Sequence, residues 1–178
     1  MTNLVRRLFD DGKTTLSLLI GCGCFFGLRI SDLLSLQWSQ IFNRDSFEIV
    51  EKKTGKHRTI RINPQLQKHI KACHKAIAPA SLDVPCFVSQ KNTVYSIQRL
   101  NIVLKELKYK YRLSIDNIST HTLRKTFGRR IYDLAGTNAE HALVMLSEIF
   151  NHSNTNITRK YLGIKQQEIF QIYDSLGF

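Results

Sequence analysis

His121, Arg124, His152 and Tyr161 lie in one stretch, residues 119–163, in an order suited to chemistry on a phosphate. His121 and Arg124 are three positions apart, so on a helix they share a face. Ser119 or Thr120 can cap such a helix and turn its positive N-terminal end toward an anion. Tyr161 follows His152 by nine residues, beyond a short polar linker. A tyrosine hydroxyl near cationic side chains is a candidate nucleophile for phosphoryl transfer, with the cations stabilising charge that builds up in the transition state.

The charge balance supports an anionic substrate. The 178-residue chain carries 26 Lys and Arg against 14 Asp and Glu, a formal charge of +12. That excess favours a polyanionic partner, and nucleic acid is the first candidate. The length predicts one ordinary domain, or at most two small ones, with a substantial core. Cys22, Cys24, Cys73 and Cys86 lack the paired spacing of a zinc site, so free thiols and an intracellular protein are expected. The apolar run 16–28 follows Asp10 and Asp11, ends at Arg29 and is too short to cross a membrane. Gly12-Lys13-Thr14 ends like a phosphate-binding loop, but Arg7 occupies the required upstream glycine position.

The elements that must position these groups follow from periodicity. Residues 2–10 read as a short, partly basic opening. Residues 14–26 form an apolar helix that Gly27 can cap. A second helix begins at Ser31-Asp32 and carries Leu33, Leu34 and Leu36, with Trp38 just past it. Arg29 therefore sits at a junction, held between apolar anchors. Asp32 either favours its helix's first turn or braces a nearby cation. Residues 47–62 read as a hairpin turning at Thr54-Gly55, which sets Phe47 opposite Ile62, Ile49 opposite Ile60 and Glu51 opposite Arg58. Lys53 and Lys56 fall at its tip, either solvated or reaching into a site.

Residues 64–78 form a helix opened by Pro64, with His69 and His74 as surface residues. Residues 79–95 are a connection with one short strand, 86–89. Residues 96–112 form a helix whose basic sides suit a phosphate backbone. Residues 121–135 carry His121 and Arg124 above a buried stripe of Leu123, Phe127, Ile131 and Leu134. Residues 139–150 form another helix, ending before His152. A short helix opened by Thr155 or Asn156 follows, with Tyr161 within or after it, and residues 165–176 form an amphipathic tail. The fold class is α+β, mainly helical, with a small antiparallel sheet on one side of a helical core.

The motifs resemble those of the tyrosine recombinases, or phage integrases. Gly27-Leu28-Arg29-Ile30-Ser31-Asp32-Leu33-Leu34-Ser35-Leu36 with Trp38 resembles the family's first-arginine box. Lys53-Thr54-Gly55-Lys56-His57-Arg58 is similar to its lysine hairpin. His121-Thr122-Leu123-Arg124 matches its His-x-x-Arg, and His152 nine residues before Tyr161 completes the order. One departure is Phe150-Asn151-His152-Ser153, where the family commonly has Leu-Gly-His-Ser. Asparagine follows glycine in its tolerance of a left-handed backbone, so the turn can survive.

The resemblance implies an integrase-type catalytic domain over 1–178, with 165–178 as its C-terminal tail. The family's N-terminal DNA-clamping domain is expected to be absent, since the chain begins close to the start of the catalytic domain. By resemblance, Tyr161 attacks the scissile DNA phosphate and becomes a 3′-phosphotyrosyl. Arg29 and Arg124 hold the nonbridging oxygens. Lys53 protonates the leaving 5′ oxygen, His121 takes the tyrosine proton, and His152 hydrogen-bonds the phosphate. Asp32 supports the arrangement. Lys56, Arg58, Lys125, Arg129, Arg159 and Lys160 are the implied DNA contacts.

No metal or other cofactor is implied, because cationic side chains take its place. The implied partners are double-stranded DNA and further copies of the chain, assembled on DNA through the tail, with no membrane involved. The implied location is the cytoplasm, at the nucleoid. Three function classes fit. One is site-specific recombination of the integrase or resolvase type. Another is the same chemistry in a type IB topoisomerase-like enzyme. A third is a DNA-binding module that keeps the fold without the reaction.

Overall fold

The computed structural model describes residues 2–176. Two compact units divide the chain, Met1–Arg124 and Lys125–Phe178. The first contains α1 (Thr2–Asp10), α2 (Thr14–Phe26), α3 (Ile30–Leu33), α4 (Trp38–Ile41), β1 (Ser46–Val50), β2 (His57–Arg61), α5 (Pro64–Ile77) and α6 (Ile97–Lys110). The boundary falls inside α7 (Thr120–Ala135).

α2 is apolar on every side, and a helix of that kind belongs at the centre of a core. Leu18, Leu19, Ile20 and Cys22 along it have no exposed surface. It stops at Gly27, whose left-handed φ of 61° matches the expected cap. The helix expected from Ser31 is only the single turn α3, and Trp38 opens a separate helix, α4. Leu34 keeps helical dihedrals and Leu36 N–H closes a turn onto Leu33 O, but Gln37 is extended, between buried Leu36 and Trp38. The extended segment pairs with the connection that precedes α6: Cys86 N–H donates to Leu36 O at 3.0 Å and Trp38 N–H to Val84 O at 3.2 Å. The strand expected over 86–89 is accordingly reduced to the isolated bridges Gln37↔Pro85 and Val88↔Val94.

The hairpin forms, but two residues out of the expected register. Phe47 pairs with Ile60, Ile49 with Arg58 and Val50 with His57. The cause is a longer loop. Glu51 N–H donates to Lys56 O, and Glu51 O accepts from both Thr54 and Gly55 N–H, so the turn closes over residues 51–56. A shift by two preserves which side chains face the core, so the apolar pattern fits both registers. Phe47, Ile60 and Ile62 pack into the first unit's core. His69 and His74, expected at the surface, are half-buried instead. His69 Nε2 lies 3.1 Å from Ser17 Oγ, and the His74 ring stacks on Phe42 at 3.8 Å. The four cysteines are free and buried, and burial pushes the Cys73 thiol up to about 12.

The second unit comprises the rest of α7, a 3₁₀ turn (Gly136–Asn138), α8 (Ala139–Phe150), α9 (Thr155–Leu162) and α10 (Ile164–Asp174). Its core is Leu143, Leu146, Phe150, Leu162 and Ile164. Leu134, expected in the buried stripe of α7, is instead 78% exposed near the helix end. Asn151 closes α8 at φ 55°, the left-handed conformation that its side chain tolerates. Asn154, one residue earlier than expected, caps α9 by accepting from Ile157 N–H at 3.1 Å. Of the predicted tail, residues 177–178 lie outside the described residues. Among the described residues no helix is long and apolar enough to cross a membrane.

Candidate active site

In the first unit the polar contacts centre on Arg29 and Glu51. The left-handed Gly27 turns the chain out of α2, and buried Leu28 and half-buried Ile30 pin the residue on both sides. Arg29 Nη1 donates to Glu51 Oε2 at 2.5 Å. Glu51 is 1% exposed and also takes Arg58 Nη1 on Oε1 at 3.0 Å and the Thr54 hydroxyl on Oε2 at 3.0 Å. Arg58 Nη2 reaches back to Phe26 O, the last carbonyl of α2, at 3.4 Å. One buried carboxylate thus binds two arginines. Burial pushes the Glu51 carboxyl up, but Arg58, Thr54 and Arg29 outweigh it and hold the group below its ordinary value. A planar guanidinium fixed at one nitrogen presents its remaining donors in a set orientation, as bidentate recognition of a phosphate requires.

Asp32, fully buried, serves the hairpin. Its Oδ1 accepts from Lys52 N–H at 3.0 Å, which ties the residue before Lys53 to the Arg29 segment. Lys53 and Lys56 are both exposed around the turn. Arg58 belongs to the Glu51 brace, with 19% of its side chain exposed. At the start of α7, Thr122 Oγ1 accepts from Ser119 N–H at 3.0 Å, and Asn101 on α6 accepts from Thr120 N–H at 2.9 Å. These contacts fix the helix end that carries exposed His121 and Arg124, the latter 6% exposed. Gly23 on α2 matters here, because a Cβ there would sit 2.8 Å from Leu123 Cδ1. Leu123 lies between His121 and Arg124, so α2 sets how deeply that segment seats.

In the second unit the turn after α8 aims His152. Its N–H donates to Ser147 O at 2.9 Å, and its Nδ1 lies 2.9 Å from Thr158 Oγ1. Tyr161 stands in the last turn of α9, edge-on to His152 with ring centroids 5.4 Å apart. Phe150 packs against both rings, at 5.5 and 5.4 Å. Lys125 Nζ lies 5.3 Å above the Tyr161 ring. Arg129 pairs with Asp133 at 3.1 Å, and Arg159 pairs with Glu140. Lys160 is exposed.

Sequence reasoning missed three supporting residues. Glu51 read only as a cross-strand partner of Arg58, and its hold on Arg29 depends on a loop length that no pattern announced. Thr158 and Ser147 occupy unremarkable helical positions, and neither spacing nor residue type marks them. The described residues contain no group of three or more metal-ligating side chains.

Comparison with known proteins places these features in a family. The model of the phage integrase family matches residues 9–168. A probable integrase/recombinase, YoeC of Bacillus subtilis strain 168, is 33% identical over 150 residues, covering 84% of this chain and 78% of YoeC. The tyrosine recombinase XerC of Brucella melitensis biotype 1 is 26% identical over 89% of this chain and 48% of its own length. The chain thus spans most of YoeC but about half of the XerC relative. Among solved structures, XerA recombinase superposes with a TM-score of 0.69 at 16% identity, over 98% of this chain and 62% of XerA. A lambda integrase dimer bound to a COC′ core site gives 0.64 at 15% identity, over 90% and 45%. The folds agree, and the family match runs from the end of α1 into α10, through every motif that carries Arg29, the hairpin, His121, Arg124, His152 and Tyr161; the chain belongs to the phage integrase family.

Proposed function

We propose that this chain is the catalytic domain of a site-specific DNA recombinase, with Tyr161 as its nucleophile. The observation that carries the reading is Tyr161 set against His152 in the last turn of α9, within a chain of this family. Tyr161 Oη attacks the scissile phosphorus, the P–O5′ bond breaks, and a 3′-phosphotyrosyl ester forms. His121 takes the phenolic proton and Lys53 gives one to the leaving 5′ oxygen. Arg29 and Arg124 neutralise the nonbridging oxygens as charge builds up. His152 contacts the same phosphate. A second 5′ hydroxyl reverses the step by attacking the phosphotyrosyl phosphorus and releasing Tyr161, because the ester conserves the energy of the broken bond. The test is a pool of nicked duplexes with a randomised core, from which protein–DNA adducts that survive SDS are recovered. Mass spectrometry of the attached peptide should find Tyr161. Absence of an adduct, or attachment elsewhere, sinks the reading in favour of a DNA-binding module.

Lys53 as the general acid has its own check. Lys53→Ala should slow cleavage of an ordinary phosphodiester roughly 100-fold, within the range for general acid catalysis. On a duplex with a 5′-bridging thio leaving group, which needs no proton, the defect should shrink to a few-fold. Equal defects on both would remove Lys53 from that role.

The exposed lysines Lys56, Lys125 and Lys160 are proposed as contacts to the DNA backbone. Each change to Ala should reduce the slope of log K against log salt by about 0.9. An unchanged slope excludes that lysine.

α10 is proposed to seat on a neighbouring copy once both are on DNA. Its support is an apolar set left in water: Phe170 is 56% exposed, Ile172 64% and Tyr173 68%. Sedimentation of complexes on a selected duplex should show two copies for the parent and one for Phe170→Asp/Tyr173→Asp. Equal stoichiometry would exclude α10 as the contact.

A further inference from the structure

We infer that Thr158, anchored through Ser147, locks the His152 ring in the tautomer with its proton on Nδ1, which makes Thr158 a positioning residue for the reaction. The role in catalysis rests on the proposed function, but the lock itself does not.

The inference comes from counting hydrogens along a buried chain. Ser147 is 7% exposed and Thr158 has no exposed surface. Ser147 Oγ lies 2.7 Å from Leu143 O, Thr158 Oγ1 lies 2.9 Å from Ser147 Oγ, and His152 Nδ1 lies 2.9 Å from Thr158 Oγ1. A carbonyl oxygen only accepts, so the Ser147 hydroxyl must donate to Leu143 O. A hydroxyl has one hydrogen, so Ser147 can only accept from Thr158. Thr158 has then spent its own hydrogen and can only accept from the ring. The proton is therefore on His152 Nδ1. If Thr158 donated to Nδ1 instead, a hydrogen would be missing either between Ser147 Oγ and Thr158 Oγ1 at 2.9 Å or between Ser147 Oγ and Leu143 O at 2.7 Å.

The consequence falls on the other ring nitrogen. In the neutral ring Nε2 holds a lone pair and accepts. A phosphodiester oxygen also only accepts. His152 can therefore hydrogen-bond the scissile phosphate through Nε2 only as an imidazolium, a charged contact whose titratable neighbours in its own unit include the Tyr161 phenol, at 5.4 Å between centroids. The backbone bond from His152 N–H to Ser147 O fixes the same turn, so one residue, Ser147, anchors both the main chain and the ring.

The test reads the tautomer directly. Uniformly ¹⁵N-labelled protein is held at a pH where the His152 ring is neutral, and long-range ¹H–¹⁵N correlation assigns Nδ1 and Nε2. The parent should show Nδ1 as the protonated nitrogen, in roughly five- to tenfold excess, the scale of one net hydrogen bond. Thr158→Val keeps the shape and removes the acceptor, so the excess should vanish. Thr158→Ser should restore it. A parent ring protonated mainly on Nε2 overturns the inference, as does an unchanged ratio in Thr158→Val. If Thr158→Val does not fold, the parent spectrum decides alone. On the nicked duplex pool, Thr158→Val should slow adduct formation about tenfold and Thr158→Ser should recover most of that loss. A locked tautomer in a parent that forms no adduct supports the lock and overturns the proposed function.

Discussion

Glu51→Ala will lose about 3 kcal/mol of folding stability and form the covalent adduct about 100-fold more slowly than the parent. Removing the carboxylate leaves Arg29 and Arg58 as neighbouring cations without the anion that they share. Breaking a buried ion pair costs about 3–5 kcal/mol, and the lower end applies because water reaches part of both guanidiniums, at 22% and 19% side-chain exposure. The rate loss is additional, because Arg29 then loses its ion pair to the hairpin. Denaturant unfolding, and adduct kinetics under conditions where both parent and variant stay folded, separate the two. Glu51→Gln isolates charge from packing. The folded carboxyl is held below its ordinary value of 4.5, so its ion pairs stabilise fully above that pH. That contribution is lost as pH falls through the lowered folded value. The stability gap between parent and Glu51→Gln should therefore be widest near pH 7 and close in acid below about pH 4. An unchanged gap at pH 3 would mean that the ion pairs are not the source.

Chain order and residue chemistry were enough to read the motifs, because they depend on local spacing. Arg29 after Gly27 is a case: a glycine cap and the flanking apolar residues Leu28 and Ile30 mark a junction. The long helices were readable for the same reason, since α5, α6 and α8 each repeat an apolar face over at least three turns. The two largest errors came from pairing that local pattern does not show, one tertiary and one within a loop. Leu33 to Leu36 looks helical by count, yet the helix stops short where Leu36 O accepts from Cys86 N–H and Trp38 N–H donates to Val84 O. The hairpin register depended on how Glu51 curls its loop, and alternation cannot see a shift by two. Supporting residues were the least legible. Glu51, Thr158 and Ser147 act through one or two atoms placed by the fold, and each is a common residue in a position of ordinary type.

Gly128→Val will destabilise the protein by about 3 kcal/mol, and Gly128→Ala by up to about 2 kcal/mol despite its better helix propensity. An ideal Cβ at Gly128 would lie 2.8 Å from Leu162 Cδ2 and 2.8 Å from Phe150 Cζ. Neither neighbour is a flexible tip in open space: Phe150 is 1% exposed and Leu162 7%. Replacing a helix-interior glycine with alanine gains about 1 kcal/mol from backbone entropy, but overpacking a filled core costs about 1–3 kcal/mol. Valine adds two further carbons and a fixed χ1, so relief by rotation is closed. The effect should reach the chemistry within the same unit. Phe150 packs on both His152 and Tyr161, and Leu162 is the residue after Tyr161, the proposed nucleophile. A ring pushed aside by 1 Å or so misaligns the attacking oxygen, and misplacement of that size costs about 100-fold. Adduct formation by Gly128→Ala should therefore fall by more than its unfolded fraction explains, with DNA affinity nearly unchanged. A more stable Gly128→Ala with parental adduct kinetics would show that α7 has room there, and that Phe150 does not set the position of Tyr161.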